Sequence, residues 1–363
     1  MPQDEEKEEA PRKLYADREE WKDVQPIEQT EISNPLIPIF YPPDYKDALD
    51  YFRGVVATEE RSERVLELTE HIIRMNPAHY SVWQYRYETL LALNSPLDKE
   101  LKLMDELALA NMKFYQVWHH RKLIMMKYKK PLPDLSFIAK VLTADVKNYH
   151  TWQYRQWLLT YFDDEELWRY ELPFVDILLK EDIRNNSAWH HRFFVVFDSG
   201  VRDGDEDRAM VVRRELNYAK QKIALSPNNL SAWNYLRGIL NKTETKFSSI
   251  KSFVIPYTLP QQQKDTEEEE YLDLDNPLPS SSATLPCALA MEFLADIYEE
   301  EGDVTRATEL LTGLAEEHDT MRKRYETLHL YPSYLTETLR YWDYRVKSVK
   351  ERLGPSSAVP TDS

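Results

Sequence analysis

Residues 148–155, NYHTWQYR, and four counterparts decide how this chain folds: HYSVWQYR (79–86), FYQVWHHR (114–121), NNSAWHHR (185–192) and NNLSAWNYLR (228–237). Their tryptophans, Trp83, Trp118, Trp152, Trp189 and Trp233, are separated by 35, 34, 37 and 44 residues. A weaker copy, YWDYR, surrounds Trp342 and Arg345 after a long interruption. A near-constant period of this size means one supersecondary unit stacked on itself rather than a single globular core.

Inside each block the tryptophan and the arginine three residues on (four in the fifth) share a helix face, and in the first three copies the spacing adds the tyrosine three residues before. The indole offers a large apolar surface for burial between neighbouring units. The arginine can stack on it or reach carbonyls and carboxylates of the next unit. Upstream, Ser62–Met75 places Val65, Leu66, Leu68, Ile72 and Ile73 at helical spacing and stops at Asn76–Pro77. Leu101–Leu109 and Phe137–Val146 repeat that pattern, each ending just before the next block. Each unit therefore reads as an amphipathic helix, a short turn and the Trp–Arg helix, an antiparallel hairpin. The expected fold is all-α, a solenoid of such hairpins.

Residues 1–44 read as an acidic, largely disordered leader with docking around Pro35–Tyr41, 45–350 as the helical-repeat domain, and 351–363 as a disordered tail. A polar stretch at 241–286, rich in Ser, Pro and Gln and containing Glu267–Glu270, reads as an insertion. At 198–207 (DSGVRDGDED), Asp203, Asp205 and Asp207 alternate as in an EF-hand, but Arg208 stands where Gly is needed and Arg214 where Glu is needed. A solvated loop is expected there, not a calcium site.

Composition narrows the function. Over 363 residues, 63 Asp and Glu against 46 Lys and Arg leave a net charge of −17, so no nucleic-acid partner is expected. Seven glycines form neither a Rossmann nor a P-loop phosphate cradle. The single Cys287 excludes an internal disulfide framework. The acidic N-terminus lacks a secretory apolar region and no run spans a membrane, so a soluble cytoplasmic protein is expected. H-E-x-x-H, C-x-x-C and G-x-S-x-G are absent. Adjacent residues diverge by about 100° on a helix, so the pairs His119–His120 and His190–His191 suit structure or an interface better than a shared metal.

One block stands apart. Lys113 precedes Tyr115 and Gln116, and the next block offers Lys147, Asn148, Tyr149 and His150 at matching places. These residues enter a helix N-terminus, where free N–H groups and the dipole favour an anion. Ordinary capping and solvated lysines fit the same residues.

The Y-x-x-W-x-x-R blocks, at this period and in this order, resemble the α subunits of protein prenyltransferases, and within them the subunit shared by farnesyltransferase and type I geranylgeranyltransferase. The similarity covers about Tyr45–Leu240 and the YWDYR block. It implies a right-handed superhelical crescent of about seven helical hairpins, wrapped around a β subunit that holds the catalytic Zn2+, with Mg2+ accompanying the diphosphate. It implies transfer of a farnesyl or geranylgeranyl group from its diphosphate to the Cys of a C-terminal CaaX motif, on proteins such as small GTPases. By the same resemblance Lys113 matches the catalytic lysine that receives the departing diphosphate, Tyr115 its neighbour, and Gln116 the holder of the peptide carboxylate. Asn148, Tyr149 and His150 match the block facing the diphosphate and the subunit interface, and Tyr80 lies near the peptide path. No metal ligand falls to this chain. Phe114 and His79 depart from the family's usual Asn, which puts local capping geometry in question. The α subunit of Rab geranylgeranyltransferase shares the repeats. A non-enzymatic tetratricopeptide scaffold would carry W-x-x-L-G-x-x-Y instead.

Overall fold

The helices stop where short polar side chains favour a turn over a helix interior. Asn76, Asn111, Asp145, Asp182 and Ser226 each end the first helix of a pair. Three residues later a backbone N–H returns to that residue's carbonyl: His79 to Asn76 (3.2 Å), Phe114 to Asn111 (3.1 Å), Asn148 to Asp145 (3.1 Å), Asn185 to Asp182 (3.0 Å) and Asn229 to Ser226 (3.0 Å). The tryptophan then fastens the turn. Its indole N–H donates to the carbonyl six residues back, to Pro77, Met112, Val146, Ile183 and Pro227 in turn, at 2.7–2.9 Å. One residue type thus buries apolar surface and satisfies a turn carbonyl at once.

The computed structural model describes residues 13–29, 39–199, 207–260, 273–327 and 333–353, with side chains described outside 318–340. All regular structure among them is helical. The first of two units, Met1–Trp168, holds α1 (Pro43–Ala57), α2 (Glu63–Met75), α3 (Tyr80–Ala92), α4 (Leu97–Ala110), α5 (Tyr115–Tyr128), α6 (Pro131–Ala144) and α7 (Tyr149–Phe162). The division falls inside the short α8 (Glu165–Arg169). The second unit, Arg169–Ser363, holds α9 (Glu171–Glu181), α10 (Asn186–Phe193), α11 (Arg208–Leu225), α12 (Leu230–Lys242), α13 (Lys251–Val254), α14 (Ala288–Glu300), α15 (Val304–Thr327) and α16 (Ser333–Leu353). Sequential helices pair as hairpins, and in the first unit α3, α5 and α7 lie side by side.

Rings join one hairpin to the next. Trp83 meets His120 at 4.9 Å and Trp118 meets Tyr154 at 5.5 Å in the first unit. Trp189 meets Tyr235 at 5.0 Å in the second. Beneath the rings runs a buried ionic ladder. Arg86 grips Glu100 of the following hairpin through Nε (2.8 Å) and a terminal nitrogen (2.7 Å), and His120 Nε2 lies 2.8 Å from the same carboxylate. Asp134 receives Arg121 and the Tyr154 hydroxyl. Glu215 receives Arg192 and the Tyr235 hydroxyl, and Glu171 pairs with His191 at 2.7 Å. The acid always stands eighteen residues before its own hairpin's tryptophan: Glu100 before Trp118, Asp134 before Trp152, Glu171 before Trp189, Glu215 before Trp233. In the first hairpin Val65 holds that place, where no repeat supplies an arginine from before. Expected arginine contacts to the next unit's carboxylates are therefore what the molecule uses.

The helices α1, α3, α5, α7 and α12 are followed by a left-handed residue with φ between 46° and 57°: Glu59, Asn94, Lys129, Asp163 and Glu244. None is glycine, although glycine suits that backbone best.

Three expectations need correction. The stretch 13–29, read as part of a disordered leader, is a folded strap in which Tyr15 and Trp21 are buried. Asp47 accepts the Tyr15 N–H, Arg53 donates to the Ile27 carbonyl, and Arg64 binds Asp23 through both carboxylate oxygens. Two buried aromatics outweigh the local acidity. Next, the polar stretch at 241–286 supplies the first arm of a further hairpin: α13 and its flanking 3-10 turns, Phe247–Ile250 and Ile255–Thr258, pack on α14. Last, Tyr80, Tyr115 and Tyr149 do not share the buried tryptophan face; they are 76%, 58% and 70% exposed. Each is the first residue of its helix, and side chains there lean back past the helix end, which leaves most of each ring in solvent. The expected docking near Pro35, the Asp203–Asp205 loop, the Glu267–Glu270 run and the tail beyond Leu353 lie outside the described residues.

Candidate functional site

The turn entering α5 is built by the tryptophan rule, and the rule places Lys113. Trp118 Nε1 holds the Met112 carbonyl at 2.9 Å, so the next residue is delivered to the surface at the N-terminal end of α5. Lys113 is exposed, and among the described residues no carboxylate pairs with it. Tyr115 opens the helix. Its ring stacks on His119 (centroids 5.6 Å, planes 17° apart), with its hydroxyl 3.5 Å from Nδ1. Gln116 reaches back to the preceding turn, where its Nε2 donates to the Ala78 carbonyl at 3.1 Å. That bond places the α3 and α5 entrances side by side, with Tyr80 exposed at the first.

The α7 entrance follows the same plan with one difference. Tyr149 is exposed and meets the half-buried His150 edge-on at 5.6 Å. Asn148, grouped by resemblance with these surface residues, is buried instead. Its Oδ1 accepts the Thr151 N–H and hydroxyl, each at 3.0 Å, and its amide donates to Asp145 at 3.3 Å. It is a helix cap, as are Asn185 and Asn229 in the second unit. Phe114 and His79 make no such side-chain cap at α5 and α3. Burial pushes the His79 imidazole below its ordinary value, so it adds no charge at neutral pH. The first unit thus brings Lys113, Tyr115, Gln116, Tyr80, Tyr149 and His150 to adjacent helix starts, where backbone N–H groups and lysine favour an anion.

Sequence reasoning passed over His119, whose signal is its position one turn after Tyr115. Lys147, matched to Lys113 in the sequence, is exposed at the place in the α7 turn that Lys113 takes in the α5 turn. The remaining members of the two histidine pairs are structural as expected for His120 and His191, both bonded to buried carboxylates. Among the described residues no three His, Cys, Asp or Glu side chains converge as a metal site, and the Cys287 thiol is buried against the Pro227 carbonyl at 3.1 Å. The donor set does not fit a zinc ion. A cavity of about 710 Å³ in the second unit, lined by Arg208, Arg213, Lys220, Thr245 and Asp275 among others, contains none of the candidate site residues.

Comparison with known proteins follows the same architecture. The protein prenyltransferase alpha subunit repeat matches at residues 62–93, 97–128, 133–162, 168–198 and 212–243, hairpin by hairpin. The chain belongs to the protein prenyltransferase α-subunit family. Within it, the chain is similar to the protein farnesyltransferase/geranylgeranyltransferase type-1 subunit alpha of Dictyostelium discoideum, 34% identical over 86% of this chain and 91% of that one. The subunit of the same name from Candida albicans is 30% identical over 91% and 97%. A solved structure, Candida albicans protein geranylgeranyltransferase-I complexed with GGPP, superposes with a TM-score of 0.68 at 29% identity, covering 90% of this chain and 97% of that chain. Among the described residues no helix is long and apolar enough to cross a membrane.

Proposed function

We propose that this α subunit works with a β subunit to move a farnesyl or geranylgeranyl group from its diphosphate to the cysteine of a C-terminal CaaX sequence, in the cytoplasm. One observation carries the reading: an exposed lysine without a carboxylate partner among the described residues, Lys113, stands at an uncapped helix start, flanked by Tyr115 and Gln116, on a chain of this family. Zn2+ on the β subunit would supply the substrate as thiolate, with Mg2+ beside the diphosphate. The new bond is sulfur to C1 of the isoprenoid; the C1–oxygen bond breaks, and the diphosphate departs with the electron pair. Lys113 meets the charge that grows on that oxygen, where a fixed cation acts most strongly on the transition state. Gln116 keeps one amide N–H beyond its bond to Ala78, enough to hold the peptide carboxylate. Tyr80, Tyr149 and His150 flank the path, and Asn148 serves by fixing the helix that carries the last two.

The test is single-turnover transfer to a CaaX peptide by the co-expressed heterodimer. Lys113→Ala should slow the chemical step by about a hundred-fold while leaving assembly intact. An unchanged rate removes Lys113 from the mechanism. Stable heterodimers that modify no CaaX peptide would instead favour the Rab-type enzyme.

A further inference from the structure

Of the three described helix starts that expose a tyrosine, α5 alone stacks it on a ring one turn further along; Tyr149 meets only its chain neighbour His150, edge-on. One turn beyond Tyr80 and Tyr149 stand Gln84 and Gln153, and Gln84 is turned away to Glu88 at 2.9 Å. One turn beyond Tyr115 stands His119, whose imidazole lies face to face with the phenol at 5.6 Å, the planes 17° apart. Its Nδ1 is 3.5 Å from the hydroxyl. In the second unit His190 occupies the same place in its block, but the position one turn before it is Asn186. The tyrosine and the histidine therefore coincide in a single repeat, the one that also presents Lys113.

An exposed ring at a helix start is otherwise free to change rotamer, and every rotamer lost on substrate binding costs affinity or rate. A stacked aromatic neighbour four residues on removes that freedom in advance. We infer that His119 is a positioning residue of the transfer site: it holds the Tyr115 ring over the α5 entrance, so that the phenol is already oriented beside Lys113. His119 acts through Tyr115 and touches no reacting atom. The role rests on the prenyl-transfer reading above.

The experiment uses the heterodimer, a fluorescent CaaX peptide and the matching prenyl diphosphate. His119→Ala should lower the single-turnover rate constant about three- to ten-fold, the range a stacked aromatic pair supports. Heterodimer yield and melting temperature should not move, since both side chains are exposed. His119→Phe, which keeps the stack, should restore most of the rate. In a Tyr115→Ala background, His119→Ala should have no further effect. A wild-type rate for His119→Ala, or effects of the two substitutions that multiply, would overturn the assignment. If Lys113→Ala is slow and His119→Ala is normal, only this inference fails. A wild-type heterodimer without transfer activity removes the functional reading and this role with it.

Discussion

Replacing Glu100 by Gln should cost the first unit about 3–4 kcal/mol at neutral pH, the order found on breaking a buried ion pair. Glu100 is buried and takes two bonds from Arg86 and one from His120, both also buried. Burial pushes its carboxyl pKa up, but the bonds from His120 and Arg86 more than reverse this and lower it from 4.5 to about 2. As pH falls below 4.5 the unfolded chain takes up a proton that the folded chain refuses. The carboxylate's contribution is thus complete above pH 4.5 and drains away towards pH 2. By linkage that contribution is about 3 kcal/mol, in step with the first figure. Urea unfolding followed by circular dichroism, with hydrogen exchange to localise the loss to α4 and α5, gives the readout. Glu106→Gln is the control, because its pair with Arg74 leaves the side chains 68% and 44% exposed and should matter by less than about 1 kcal/mol. A Glu100→Gln loss no larger than the control's, or an unaltered acid limb between pH 4.5 and 2, would refute the buried-ladder account.

Gly54→Ala should loosen the strap: a Cβ there would sit 2.4 Å from the Gln25 carbonyl oxygen and 3.0 Å from Val24. A loss of about 1–3 kcal/mol and faster proteolysis within 13–29 are expected; wild-type resistance would contradict it. Lys129→Gly should stabilise by about 0.5–1 kcal/mol, since φ is 57° there and glycine accepts that backbone without strain; calorimetry decides. Gln116→Ala should raise the Michaelis constant for the peptide about ten-fold with little change in the chemical step, as loss of a hydrogen bond to a charged group predicts. A peptide constant equal to wild type would count against carboxylate binding.

Periodicity made the hairpins readable, because Trp and Arg at fixed spacing are chosen by packing that recurs in every unit. The turn-entering residues were readable for the same reason. The strap was not: Tyr15 and Trp21 bury themselves against α1 and α2 through contacts far apart in sequence, and the local composition is polar. The hairpin arm hidden in 241–286 escaped because α13 is a single turn flanked by 3-10 turns, too short for helical spacing to register. Asn148 looked like its neighbours at the surface, yet only the three-dimensional turn shows its amide committed to Asp145 and Thr151. The tyrosines were misjudged because spacing gives an angle around the helix axis and says nothing about whether another helix lies beyond its end.

The constant eighteen-residue interval between each buried acid and its tryptophan acts as a ruler laid across the hairpin turn. From each tryptophan to the next acid the interval is instead free: 17, 16, 19 and 26 residues for Trp83–Glu100, Trp118–Asp134, Trp152–Glu171 and Trp189–Glu215. All the irregularity of the repeat period therefore lies outside the acid-to-tryptophan stretch: in the end of the second helix, the connection and the first turns of the next helix. A residue added inside a hairpin rotates the acid by about 100° away from its arginine, whereas one added between hairpins lengthens a surface connection. Tags, cleavage sites or grafted loops belong in those connections, and natural length variation in this family should collect there too.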